Sequence, residues 1–238
     1  MHDKIVLLFV EGSRDRVFYE GLFERFLRAS RIGIEDVGGA LKRYIDRFGR
    51  RFVSVLAVEG ALVVVINCRG YNGLRGVFRD LLRDEEQLAE LIQEGLRAVV
   101  LVADADKDLV ESTRGIVSSL GLELHLRGDI ARITVQDAEL DVTMIRQGLE
   151  RERSTRELED LVDEIASRAY SRIARAISQL EKHLGGKLDS KQRASIYAAV
   201  LVRDKGVEGL IPKLLREASE GDLEIARSIL NKLVQAVR

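Results

Sequence analysis

The sequence predicts an α/β protein: a mainly parallel sheet flanked by helices over residues 1–148, with an all-helical appendage over residues 149–238. Three observations lead there. Continuous apolar runs such as Ile5–Val10 and Ala98–Ala103 have the composition of strands buried on both faces. Stretches of helical period lie between such runs, the pattern of βαβ crossovers. From about Leu149 onward the strand signal stops and only helical periodicity remains.

Ile5–Val10 is followed by Ser13, a candidate N-cap, and by Val17, Phe18, Leu22, Phe26 and Leu27 near helical spacing. Residues 40–48 place Leu41, Tyr44, Ile45 and Phe48 on one helix face. Phe52–Val58 and Ala61–Ile66 flank Glu59-Gly60 and read as a hairpin. Arg69-Gly-Tyr-Asn-Gly leads into a single long helix over about 74–94, and Ala98–Ala103 then runs into Asp104-Ala-Asp-Lys-Asp. A helix at about 110–120 and strands at 122–126 and 131–135 complete the first part. The second part reads as helices over 155–184, 190–203, 207–218 and 223–237, with Asp189-Ser190 and Asp222 as candidate N-caps and Pro212 in a first helical turn.

Composition excludes several classes. With 238 residues, 46% hydrophobic and 32% charged, the chain can bury a large core, so disorder and a disulfide-stapled mini-domain are excluded. A formal charge of -1 argues against coating nucleic acid by bulk charge. One cysteine, Cys68, allows no zinc ribbon, redox pair or cysteine-ligated cluster, and three dispersed histidines make a His-rich metal site unpromising. The apolar start is too short for a signal h-region or a membrane span, so a cytoplasmic protein without a membrane partner is expected. Two Met, one Pro and an excess of Arg over Lys fit a thermophile pattern.

In open α/β sheets, ligands gather beyond the carboxyl ends of the strands. The first strand ends in Glu11-Gly12-Ser13-Arg14-Asp15, and the strand before Asp104 ends in an Asp-x-Asp. If the two strands are parallel, Glu11, Asp104 and Asp106 meet at one edge, where like charges a few ångströms apart repel by about 1–4 kcal/mol per pair. Protons or a cation must relieve such a cluster, and an oxygen-only ligand set suits Mg²⁺ or Mn²⁺, ions that serve phosphoryl chemistry. For a lone Asp-rich loop a solvated turn is the commoner outcome, and helix-dipole stabilisation serves as well for Glu11 and Asp15. The pairing of the two strand ends shifts the balance.

LLFVEGSRDRVFYEGLF followed by VVLVADADKD resembles the Toprim domain of topoisomerases, primases, OLD-family nucleases and small stand-alone proteins, over roughly residues 4–135. The EGxxD form, with Asp15, resembles the OLD-like and small stand-alone, mostly archaeal branches, and the helical tail lies outside that core. The resemblance implies a Rossmann-like sheet and Mg²⁺ (or Mn²⁺)-dependent phosphodiester chemistry on DNA or RNA, of nuclease or nucleotidyl-transfer type. It implies Glu11 as general acid/base or shared ligand, with Asp104 and Asp106 holding metal and Asp108 or Asp15 in support. No topoisomerase gate, zinc module or GxxxxGK[ST] loop accompanies it.

For nucleic acid, residues 31–83 carry ten basic side chains against five acidic ones, and Arg43, Arg47, Arg50 and Arg51 form a candidate phosphate track. Arg69 and Lys107 are further candidates, though an exposed loop charge is the commoner role for Lys107. Asp137, Glu139 and Asp141 follow a strand and could supply a peripheral ligand, with helix-start acids the commoner reading; Tyr71 is a lone candidate for base stacking, and Cys68 reads as a small buried hydrophobe. A contrasting expectation is a non-catalytic module that binds nucleic acid or a nucleotide. In either case the tail could dock on the sheet or recruit a second copy or another protein.

Overall fold

Eight strands form one sheet, in the order β2-β3-β4-β1-β5-β8-β7-β6, in the computed structural model, which describes residues 4–104, 107–127, 130–135, 138–147 and 157–238. The strands are β1 (Lys4–Val10), β2 (Ser30–Ile32), β3 (Val53–Val58), β4 (Ala61–Asn67), β5 (Leu96–Asp104), β6 (Leu124–Arg127), β7 (Ile130–Val135) and β8 (Ala138–Gln147). The expected mainly parallel sheet needs correction. Only the central strands β4, β1, β5 and β8 run parallel, whereas β2–β3–β4 and β6–β7–β8 pair antiparallel. The links explain it: β3 and β4 are joined by Glu59-Gly60 alone, with Gly60 at φ 82°, and two residues separate β7 from β8. Links that short permit only hairpins, whereas parallel neighbours need long crossovers.

Helices supply those crossovers: α1 (Ser13–Phe26), α2 (Gly39–Asp46), α3 (Tyr71–Arg83), α4 (Glu85–Gln93) and α5 (Leu109–Ser119). Alternate residues of each central strand enter opposite cores. Ile5, Leu7, Phe9, Val99 and Leu101 face α2, α3, α4 and α5. Val6, Leu8, Val10, Val100 and Val102 face α1 and the C-terminal helices α6 (Leu158–Ala169), α7 (Ser171–Leu184), α8 (Ser190–Leu201), α9 (Gly206–Glu217) and α10 (Arg227–Val237). The C-terminal helices are therefore one of the two layers covering the sheet. Helix α9 lies so close to α1 that a methyl group on Gly21 would fall 2.5 Å from Leu215 Cδ1. Arg25 donates to the Ala218 carbonyl at 2.7 Å and to that of Leu215, serving the end of α9.

Several local expectations change. The helix expected over 74–94 breaks at Asp84, which leaves helical geometry (φ -86°, ψ 76°) and caps α4 by accepting the Gln87 N–H at 3.2 Å. The helix expected over 155–184 breaks at Tyr170, and its start at Thr155 lies outside the described residues. Gly12, not Ser13, is the N-cap of α1, and the Asp15 carboxylate accepts the Gly12 N–H at 2.6 Å. Pro212 sits inside α9 and not in its first turn. Asp222 caps no helix; its carboxylate accepts from Ser219 N–H and Oγ, and α10 begins at Arg227. Glu139 and Asp141 belong to β8, where Arg132 of β7 pairs with both, and Asp137 lies outside the described residues. Among the described residues no helix is long and apolar enough to cross a membrane.

Candidate functional site

Parallel pairing delivers the carboxyl ends of the four central strands to one edge. Val10 lies opposite both Asn67 and Val102, and Asp104 lies opposite Gln147. Glu11, Asn67, Asp104 and Gln147 therefore share that edge, each from a different strand or its exit. Glu11 Oε1 accepts the backbone N–H of Asp104 at 3.0 Å, joining residues 93 positions apart. Gly70 N–H donates to the Glu11 carbonyl at 2.6 Å, so the turn after β4 is bonded to the same residue.

Behind these lies a buried polar network. Gln147 is 1% exposed, and its Nε2 donates to Asp15 Oδ1 at 2.7 Å and to Asp104 Oδ1 at 3.1 Å. Its Oε1 accepts from the buried Tyr19 hydroxyl at 3.4 Å. One neutral amide thus serves two carboxylates and adds no charge to them. Burial raises the Asp104 carboxyl to about 7, and the charges of Glu11, Asp15 and Glu157 push the same way while the Gln147 hydrogen bond opposes them. Burial also raises Asp15, against hydrogen bonds from Gln147 and Gly12. Tyr19 is driven well above its ordinary range by burial, then by Asp15 and Asp104, and stays a neutral donor.

A cleft of about 510 Å³ opens over this edge. Glu11, Asp15 and Asp104 form its acidic floor, and Arg14, Asn67 and Arg69 lie around them. The C-terminal helices close the other side with Glu157, Glu159 and Lys191. Lys191 Nζ meets Glu157 Oε2 at 2.7 Å, and Arg14 is paired with Glu159. Acidic side chains outnumber basic ones along this lining.

The sequence candidates separate accordingly. Glu11, Asp15, Asp104 and Arg69 come together in the cleft. Asp106 lies outside the described residues. Asp108 is not on the lining: it is the N-cap of α5 and accepts the Glu111 N–H at 3.0 Å. Lys107 lies off the lining too, its backbone N–H bonded to the Asp104 carbonyl at 3.0 Å. Arg43 and Arg47 do not form an open track, because Arg43 meets Glu90 of α4 at 2.7 Å and Arg47 meets Asp84 at 3.1 Å. Arg50 and Arg51 lie in the short 3₁₀ turn Arg50–Phe52. Tyr71 is engaged by the Asp108 carbonyl at 3.3 Å, and Cys68 is buried with its thiol pushed up to about 12 by burial.

Gln147, Tyr19, Arg14 and the tail residues of the lining escape a reading of motifs. Only the strand-end position of Gln147 marks it, and β8 itself has no clean strand pattern. Among the described residues no group of three or more His, Cys, Asp or Glu gathers tightly enough to hold a metal ion. The described carboxylates that face the cleft at the strand ends are Glu11 and Asp104, a hard pair suited to a hard cation, with Asp106 two residues on in the sequence.

Fold and site define a mixed α/β protein with a carboxylate cleft at its central strand ends, closed on one side by C-terminal helices. The chain is similar in fold to the hypothetical protein PH0156 from Pyrococcus horikoshii OT3, with a TM-score of 0.69 and 18% identity over 98% of this chain and 95% of that one. That likeness extends through the helical part. FosX, a fosfomycin resistance protein from Listeria monocytogenes, aligns at 10% identity over 63% of this chain and 92% of its own, and the hypothetical protein SA1046 from S. aureus at 8% over 61% and 94%. Both have TM-scores of 0.17. No family model and no curated protein matches the chain.

Proposed function

We propose that this chain is a stand-alone Toprim-like protein carrying out Mg²⁺- or Mn²⁺-dependent phosphodiester chemistry on nucleic acid. The observation that carries the proposal is the hydrogen bond between the Glu11 carboxylate and the Asp104 N–H at the ends of adjacent parallel strands, which brings together the two separated acidic motifs. Glu11 and Asp104, with Asp106, would hold the ion. Bound there, a divalent ion supplies charge stabilisation at a phosphate and lowers the pKa of an attacking water. Where Asp104 and Asp106 alone hold the ion, the Glu11 carboxylate would instead exchange a proton with water or the leaving oxygen at the cleft floor. Asp15 has a hydrogen bond on each carboxylate oxygen and acts as a positioning residue that holds Gly12 and Gln147 in place. Asp108, engaged as a helix cap, drops from the ligand set.

One observation favours the non-catalytic alternative, a nucleic-acid- or nucleotide-binding module. The described carboxylates do not close into a three-ligand group, and Gln147 already satisfies an oxygen of Asp104. Calorimetric titration of Mn²⁺ and Mg²⁺ into wild type and Asp104→Ala/Asp106→Ala separates the two. Binding by wild type alone, followed by cleavage of labelled DNA or RNA, supports the enzyme. Silence with both ions, repeated with an oligonucleotide present, overturns it.

A further inference from the structure

The acidic floor of the cleft repels a polyanion, so the attraction for a nucleic-acid strand must come from beside it. Most candidate cations nearby are already paired: Arg31 with Glu20 and Glu24, Lys42 with Asp46, Arg43 with Glu90, Arg47 with Asp84. Arg51 and Arg69 differ. Both guanidiniums lie on the ring of Phe52, at 4.6 Å and 3.9 Å from its centroid. Among the described residues no carboxylate is paired with either one. Two like charges sharing one ring repel each other, and an anion between or beside them relieves that. A cation held on a ring spends no N–H group on a carboxylate, so both guanidiniums keep donors for phosphate oxygens.

We propose that the Arg51–Phe52–Arg69 stack receives the phosphate backbone of the nucleic-acid strand entering the cleft. Placement supports it. Arg69 also lines the cleft, so the stack is continuous with the acidic floor. Its backbone occupies the left-handed region at φ 61°, uncommon for a side chain of this size. Asn67 Oδ1 holds that conformation by accepting the Arg69 N–H at 2.9 Å, and Gly70 ties the same turn to the Glu11 carbonyl. On the other side, Arg16 donates to the Arg51 carbonyl at 3.0 Å and fixes the 3₁₀ turn against α1. The stack is thus anchored to both strand exits that bear on Glu11. Phe52 is covered by guanidiniums and stacks on no base, so recognition is independent of sequence.

The inference rests on nucleic acid being the substrate but not on turnover, so binding is read in EDTA by fluorescence anisotropy of a labelled oligonucleotide. Each phosphate left without its cation lowers the slope of log affinity against log salt by about 0.7–0.9. Arg51→Ala/Arg69→Ala should therefore lose roughly 1.5 of slope and bind about thirtyfold more weakly at ~0.1 M salt. Arg43→Ala/Arg47→Ala should match wild type. Phe52→Leu, which keeps both cations but frees them, should weaken binding, and Phe52→Tyr should restore it. Wild-type affinity and slope in a folded Arg51→Ala/Arg69→Ala protein would overturn the track alone. No binding by wild type to single-stranded or duplex oligonucleotides would overturn the nucleic-acid reading and the track together.

Discussion

Replacing Gln147 with Leu removes the one amide that donates to both Asp15 and Asp104. A hydrogen bond to a charged group contributes about 1.5–3 kcal/mol, and the half-buried Asp104 warrants less because water screens it. The two together give a loss of about 3 kcal/mol once both acids are ionised. The sign with pH follows from the raised carboxyls. Asp104 titrates from 3.8 when unfolded to about 7 when folded, so wild-type stability falls as pH rises through that window and the penalty is complete above it. Loss of the donor raises both carboxyls further. The Gln147→Leu deficit is therefore smaller near pH 4, where the Tyr19 hydroxyl left without its acceptor still costs about 1–3 kcal/mol, and grows by about 3 kcal/mol toward pH 8, where that added part lowers Tm by roughly 9 °C for a chain of this size. Urea unfolding followed by circular dichroism at the two pH values measures it. Equal deficits at both would show that the side chain serves packing and not the carboxylates, which would refute the reasoning.

Asp104→Asn keeps an acceptor for Gln147 but removes a disfavoured charge, so it should raise stability near pH 8 by about 1 kcal/mol while abolishing Mn²⁺ binding. Thermal melts and calorimetry read the two effects on one sample. In wild type, Mn²⁺ affinity should climb up to tenfold per pH unit below about 7 and level off above it, because the Asp104 proton must leave; a flat profile between pH 6 and 8 would place the ion elsewhere. Gly73 in α3 is spatially constrained: a methyl group there would lie 1.8 Å from the Cys68 carbonyl oxygen. Gly73→Ala should cost at least about 2 kcal/mol in urea unfolding, whereas Gly76→Ala, with nothing within 4 Å, should gain up to about 1 kcal/mol from helix propensity.

The strands buried on both faces were legible because β1 and β5 hold the unbroken apolar runs Ile5–Val10 and Ala98–Ala103, and Glu11 and Asp104 stand where those runs stop. The hairpin β3–β4 was legible from Glu59-Gly60. Strand β8 was not, since Glu139, Asp141 and Arg146 interrupt it and its pairing with Arg132 is made across strands. Asp84 shows the limit for helices: one residue leaves helical geometry and caps the next helix, inside a stretch whose propensities are helical throughout. Asp108 has the same capping role, and in sequence it cannot be told from the acids before it. Gln147 and Lys191 carry no motif. Their place in the site is a product of tertiary packing, Gln147 through β5–β8 pairing and Lys191 through the docking of α8.

Strand β1 is sealed in part by a helix far along the chain. Val6, Leu8 and Val10 of β1 share a core with Leu233, Ala236 and Val237 of α10, more than 200 residues later. During synthesis, the part of this face that α1 does not cover must wait for the C-terminal helices with its valines and leucines exposed. Such a surface is what chaperones bind and what drives aggregation when they are scarce. Releasing the chain with α10 removed should therefore yield inclusion bodies and not a smaller soluble domain, and the cleft would be lost with the layer that supports it.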